Sequence, residues 1–379
     1  MKDLSESRVL IVDDVKANVD VLVQALREDY RISVALNGEA ALSSVERNQP
    51  DLLLLDIVMP GIDGYEVCRR LRSDEKTCEL PIMFLSSLED VCDKTRGFEV
   101  GGNDYLTKPF EILEVKARVR SMLKAKAYSD GVKERSAAEL HIAREIQMGL
   151  LPADIAALVQ KCHLDIAALL EPAKEIGGDF YDAIPLDDSR VLVVVGDVSG
   201  KGIPAALFMA VTMTLIRSAS RQFTALEQMV RHVNAALYAH NPRGMFVTLF
   251  CCVIDTAKMT ICCANAGHPS PVLLRFGEPP SFPFDSTSTP IGVFDAVNVE
   301  ARWVDLHSGD GVVIYSDGVT EAFSDSGVMF AKGGLMGSLA TAAGKNATAM
   351  VSCLRHAVRQ HVGGHPQSDD LTILALACP

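Results

Sequence analysis

The chain is expected to fold as two domains of different class, an α/β doubly wound parallel sheet followed by an α+β domain of packed β-sheets flanked by helices. Length is one ground, because 379 residues can bury two cores of ordinary size. A second is the alternation of short apolar runs with amphipathic helical stretches as far as residue 124, the pattern of βα units. The third is a change after Pro152, where short strands follow one another at hairpin spacing and helices stand apart. The divisions expected are residues 1–124, a helical linker at 125–151, and residues 152–379.

In the first domain, Arg8–Val12 is an apolar strand ending in Asp13-Asp14, followed by an amphipathic helix to about Tyr30. A strand at 32–35, a helix at 38–47 and a buried strand at 51–55 ending in Asp56 come next. Residues 81–85 form a further strand, and the stretch before Lys108-Pro109 holds the last, ahead of a helix from about Glu111. Doubly wound sheets bind ligands at the carboxyl ends of their strands, where Asp13, Asp14, Asp56, Ser86 and Lys108 all fall. Crowded carboxylates repel one another, so a divalent cation is needed among them. One carboxylate can then attack a phosphoryl donor while Lys108 and the Ser86 hydroxyl contact the phosphoryl oxygens.

The stretches VDD at 12–14, LDIVMPGIDG at 55–64, LSS at 85–87 and YLTKPF at 105–110 resemble the receiver domain of two-component response regulators, over residues 8–124. That resemblance implies phosphorylation at Asp56 by way of a sensor histidine kinase. It implies Mg²⁺ held by the side chains of Asp14 and Asp56, with Asp13 holding water in the shell and Val58 supplying a backbone carbonyl. Ser86 and Tyr105 stand in the places of the family's switch hydroxyl and switch aromatic, and Ser at 86 is within the family's range.

Val115, Val119, Met122 and Leu123 have helical spacing, which carries the last receiver helix to about Ala127, and Ser129-Asp130-Gly131 either breaks or bends it. Helix formers then dominate to Leu151, and Pro152 is the stop. Val132, Ser136, Glu139, Ala143, Ile146 and Leu150 form a heptad seam with polar members. It is read two ways, as a helix packed on its own catalytic domain or as a homodimerising signalling helix.

The second domain is organised around VLVVVGDVSGKG at 191–202, an apolar run ending in an acid among glycines. Strands are expected at 164–170, 191–195, 246–254, 259–264, 272–275, 299–304, Gly311–Tyr315 and Leu371–Ala377. Helices are expected at 204–220, 224–238 and Ala347–Val362, and the proline-rich 278–290 is expected to be a surface loop. Asp179, Asp197, Asp317 and Asp369 each lie beside an apolar strand. Four acids from separate segments suit hard divalent cations, and such pairs, about 3.5–4 Å apart, acidify a shared water for in-line attack on phosphate.

EIGGDFYD at 175–182, VGDVSGKGIPAALFM at 195–209, NAGHPSP at 265–271, YSDGVTEA at 315–322 and SDDLTILAL at 368–376 resemble the metal-dependent protein serine/threonine phosphatases of the type 2C class. The likeness is to the bacterial branch with the sporulation and stress-response phosphatases, and LHIAREIQMGLLP resembles the helix that precedes such domains. It implies two Mn²⁺ or Mg²⁺ ions on Asp179, Asp197, Asp317 and Asp369, with a backbone oxygen from Val198. Asp370 stands where other members carry Asn, and Lys174 where eukaryotic members carry a phosphate-binding Arg. Ser199 replaces the His of eukaryotic members, which leaves the general acid open. His268 is read as fixing a turn.

By the same resemblance the substrate is a phosphorylated anti-sigma-factor antagonist. The competing reading is a non-catalytic module that captures a partner with a phosphatase fold. A diguanylate cyclase is set aside, because Phe180 and not an acid follows Asp179.

Composition narrows the partners. A hydrophobic share of 48% and a charged share of 22% belong to a globular protein. The net charge of −13 argues against direct nucleic-acid binding, which needs clustered Lys and Arg. No apolar run approaches the roughly 20 residues of a membrane span, and the N-terminus lacks the apolar stretch of a secretory signal. Ten cysteines without CxxC spacing read as reduced packing residues, so the expected compartment is the cytoplasm.

Overall fold

The computed structural model describes residues 4–86 and 97–378, and the chain divides into two compact units, Met1–Ala138 and Glu139–Pro379. In the first unit the strands β1 (Arg8–Val12), β2 (Arg31–Ala35), β3 (Leu52–Asp56), β4 (Ile82–Ser86) and β5 (Asp104–Thr107) alternate with α1 (Lys16–Leu26), α2 (Gly38–Arg47) and α3 (Gly64–Ser73). The sheet order is β2-β1-β3-β4-β5, and every neighbouring pair is parallel. Side chains alternate across each strand: Leu10, Val12, Leu53, Leu55 and Phe84 join one core, and Val9, Ile11, Leu52, Leu54 and Met83 the other. Asn37 and Asp63 cap α2 and α3 by accepting the Ala40 and Glu66 N–H groups. Gly64 is required where α3 begins, because a Cβ there would lie 2.2 Å from the Asp56 carbonyl oxygen.

The helix after β5 runs further than its sequence suggested. α4 spans Ile112–Leu150 without interruption, through Ser129-Asp130-Gly131, so the expected end near Ala127 is corrected. One glycine costs a helix only about 1 kcal/mol against Ala, and Asp130 offsets some of that by pairing with Lys126 at 3.3 Å. Val115, Val119 and Leu123 fasten its first turns to the core of the first unit.

The second unit stacks two antiparallel sheets. The first contains β7 (Phe180–Pro185), β8 (Arg190–Val198), β9 (Val247–Asp255), β10 (Thr260–Ala266) and β12 (Arg302–Asp305), in the order β12-β10-β9-β8-β7. The other contains β6 (Asp165–Glu171), β11 (Val272–Leu274), β13 (Gly311–Tyr315) and β14 (Leu371–Ala377), in the order β11-β13-β14-β6. Val191, Val193, Val195, Phe250 and Cys252 meet Ile166, Val312, Ile314, Leu374 and Leu376 between them. The outer face of the first sheet is covered by Met209, Met213 and Ile216 of α6 (Ile203–Ala219) and Met229 and Val233 of α7 (Leu226–Ala239), with the short α5 (Ile155–Leu158) beneath the inner core. The short α8 (Asp317–Thr320), α9 (Ala331–Leu339) and α10 (Ala347–Val362) cover the other.

Three expectations are corrected here. β8 continues through Asp197 to Val198, so Asp197 lies within the strand, and β12 begins only at Arg302. The 278–290 segment is not wholly superficial: Phe284 is fully buried between the sheets, with its ring 5.9 Å from that of Phe250. α9 contains Gly333, Gly334 and Gly337 and gave no helical signal, but buried Leu335 and Leu339 secure it. No helix among the described residues is long and apolar enough to cross a membrane.

Candidate functional site

Parallel strands in the first unit bring their carboxyl ends to one edge. There the Lys108 ammonium lies 2.7 Å from both Asp13 and Asp56. Asp13 is fully buried and accepts the Val15 N–H and the Asn18 amide, while Asp14 is exposed. One carboxylate oxygen from each of Asp13, Asp14 and Asp56 lies within 4.8 Å of the others, and this trio alone has that spacing among the described residues. An all-oxygen set of this kind fits a hard cation such as Mg²⁺. Burial pushes the Asp56 carboxyl above its usual range, against the opposing pull of Lys108. Burial works against the Lys108 charge, yet its bonds to Asp13 and Asp56 prevail and raise it. The Val58 side chain is exposed, and its N–H bonds to Asp56. Ser86 is buried and its carbonyl accepts the Lys108 N–H at 2.7 Å. Tyr105 sets its ring against Phe98, with centroids 5.9 Å apart. Ser87, the end of the LSS stretch, lies outside the described residues.

In the second unit, antiparallel pairing brings the end of one strand beside the start of its partner. Phe180 opposes Gly196, which sets Asp179 next to Asp197, and Tyr315 opposes Ile373, which brings Asp317 towards Asp369. Thr372 Oγ1 joins the two sheet edges by donating to Asp179 at 2.6 Å. Burial and then the Asp197 charge raise the Asp179 carboxyl well above normal. Asp197 bonds to Asp179 and is pushed up to about 7, by burial first and by Asp317 next. Asp317 is raised by burial and by Asp369. These acids interact strongly but are spread more widely than the trio of the first unit. All their donors are carboxylate oxygens, a set that suits Mg²⁺ or Mn²⁺, and Gly178 leaves the Val198 carbonyl open beside them, 2.7 Å from where a Cβ would stand.

The remaining candidates separate by their partners. Asp370 accepts the N–H groups of Ala173, Gly178 and Asp179, at 2.9, 2.8 and 3.4 Å, so its carboxylate is committed to holding the turn before β7. Lys174 is exposed on that loop. The Ser199 hydroxyl accepts the Phe246 N–H at 2.9 Å, fastening its loop to β9. His268 is buried, bonds to Thr248 at 3.0 Å and is pushed down to about 3 by burial, which keeps it neutral. Two contributors escaped sequence reasoning. Lys201 pairs with Asp369 at 3.0 Å, and the only hint was a lysine between glycines just after the central acid. Gln147, in the helix before Pro152, is buried against Gly177.

The family model described as Stage II sporulation protein E (SpoIIE) matches residues 187–379, just over half of the chain. The chain belongs to the SpoIIE family. Residues 9–120 match the response regulator receiver domain, so an N-terminal receiver and a C-terminal phosphatase-type domain share one polypeptide. The response regulator PleD of Caulobacter vibrioides is 41% identical over 132 residues, 35% of this chain and 29% of PleD. Protein IcfG of Synechocystis is 29% identical over 289 residues, 69% of this chain and 44% of IcfG. The chain thus spans less than half the length of either relative. Among solved structures, the SiaA-PP2C domain of Pseudomonas aeruginosa aligns with a TM-score of 0.58 at 21% identity, covering 65% of this chain and 98% of that one. The PP2C phosphatase domain with a regulatory fragment of SpoIIE from Bacillus subtilis aligns at 0.50 and 18% identity, covering 56% and 63%. Both are likenesses of fold.

Proposed function

We propose that the chain is a cytoplasmic response regulator in which phosphorylation of Asp56 controls a metal-dependent protein serine/threonine phosphatase. The observation that carries this reading is the meeting of Asp179, Asp197, Asp317 and Asp369 at one edge of the β-sandwich, buried enough to raise three of them. Asp179, Asp197, Asp317 and Asp369, with the Val198 carbonyl, would hold two Mn²⁺ or Mg²⁺ ions. Such ions supply positive charge for a phosphate ester and acidify a water for in-line attack. Thr372 and Asp370 orient Asp179 and its turn, and Lys201 adds a cation beside Asp369.

In the receiver, Asp13, Asp14 and Asp56 would hold Mg²⁺, and Lys108 would neutralise the phosphoryl group arriving on Asp56 from a sensor histidine kinase. The substrate is read as a phosphorylated anti-sigma-factor antagonist. Residues 1–124 and 152–379 are read as the functional domains, and the linker at 125–151 as the part of α4 through which a homodimer forms.

The test is Mn²⁺-dependent hydrolysis of p-nitrophenyl phosphate and of a phosphoserine protein, by wild type and Asp197→Ala. Turnover that requires both Mn²⁺ and Asp197 supports the enzyme. The wider spread of the C-terminal acids and the Lys201–Asp369 pair favour, as a second reading, a partner-binding module without turnover. A folded sample that binds the phosphoprotein and never hydrolyses it would establish that alternative.

A further inference from the structure

The last turns of α4 are bonded to the segment that carries Asp179. The Gln147 side-chain amide donates to the Gly177 carbonyl at 2.7 Å, and its oxygen accepts the Gly177 N–H at 3.3 Å. Three residues on, the Leu150 carbonyl accepts from Arg217 at 2.8 Å, and Arg217 also donates to Asp182 at 2.6 Å. Three residues earlier, Arg144 reaches the Glu175 carbonyl at 3.5 Å. One side of the helix therefore contacts residues 175, 177 and, through Arg217, 182, all within EIGGDFYD. From the opposite side the turn is held by Asp370, whose oxygen would lie 1.8 Å from a Cβ on Gly177. Gly177 thus has no side chain with which to fix itself, and its buried backbone groups depend on Gln147.

Resting on the phosphatase reading above, we infer that Gln147 is a positioning residue. Its two bonds to Gly177 set the Gly177-Gly178 turn, and so the placement of Asp179. Within the second unit, the end of the helix thus bonds to the backbone two residues before a candidate ligand. Loss of these bonds then acts on cation affinity more than on the chemistry of turnover.

Gln147→Met tests this in the full chain, because Met keeps the length and helix preference of Gln while removing both bonds to Gly177. Calorimetry measures the part of Mn²⁺ binding that Asp197→Ala abolishes, and p-nitrophenyl phosphate hydrolysis is followed across a Mn²⁺ titration. The expected result is Mn²⁺ affinity weaker by about tenfold or more, the range for lost outer-shell partners, with kcat returning to the wild-type value at saturating Mn²⁺. Unchanged affinity overturns the inference while leaving the phosphatase intact. A kcat depressed at every Mn²⁺ concentration overturns it by making Gln147 a folding residue only. If wild type shows no Asp197-dependent Mn²⁺ binding, the metal reading and this inference fail together.

Discussion

The two acidic sites answer the same electrostatic problem differently. In the receiver, Lys108 stands 2.7 Å from two of the three acids, so the cluster carries a resident countercharge and closes to a compact spacing. At the sandwich edge the four acids have Lys201 against Asp369 only, while Asp179 and Asp197 face each other and bind protons more tightly. A site with its own cation holds its shape in the absence of ions. The other site holds protons in place of a countercharge, so on the proposed reading it should be the more dependent on added metal.

The largest effect that would test this contrast is Asp197→Ala. It should lower Mn²⁺-dependent phosphatase turnover by more than about a hundredfold, beyond the usual loss for an outer-shell partner, while acetyl phosphate still labels Asp56. Loss of labelling in that variant would show that the sites are not separable.

The pH dependence of metal-free protein comes next. The raised carboxyls of Asp179, Asp197 and Asp317, with Asp56, bind protons in the folded chain at pH values where the unfolded chain has released them. Stability should therefore be greatest below pH 4 as far as these groups go. It should fall as pH rises towards the Asp197 value of about 7, by on the order of a few kcal/mol. Thermal melts in EDTA at pH 4.5 and 7.5, repeated with Mn²⁺, would measure it. Mn²⁺ should raise the melting temperature more at pH 7.5, where it competes with fewer protons than at pH 4.5, and equal increments would break the comparison.

Lys108→Met removes the countercharge on which the receiver site relies. Breaking a buried ion pair costs about 3–5 kcal/mol. Here the expected loss lies towards the lower figure, because Mg²⁺ or a proton can take over part of the neutralisation. Denaturant melts with and without Mg²⁺ would measure it, and labelling of Asp56 should fall sharply. A variant as stable as wild type without Mg²⁺ would refute the resident-cation account.

Smallest of all should be Ser199→Ala. Its hydroxyl only holds the Phe246 N–H, so the cost is about 1 kcal/mol and turnover at saturating Mn²⁺ should stay close to wild type. A large fall in kcat would instead give Ser199 a part in turnover beyond this bond.

Much of this architecture was legible along the chain. Period-two and continuous apolar runs marked most strands, and acids at or beside strand ends marked both candidate sites, with Asp179, Asp197 and Asp317 also beside glycines, because side-chain alternation and close backbone approach leave local traces. The unbroken α4 was not legible because one glycine costs a helix too little to end it, and the glycine-laden α9 was not because the packing of Leu335 and Leu339 outweighed the local preference. Phe284 entered the core from a stretch that reads as pure loop for the same reason.

The chain alone determined which residues carry charge, in what order the elements come, and therefore which acids could meet. Tertiary structure decided what each acid does, because that depends on the donor or cation within about 3 Å, and those partners come from far along the chain. Asp370 became a turn clamp through Gly178, 192 positions away. Asp369 found Lys201 and Gln147 found Gly177 in the same manner. Local composition can place a carboxylate beside a strand, but only the folded chain sets its neighbours, its protonation and its role.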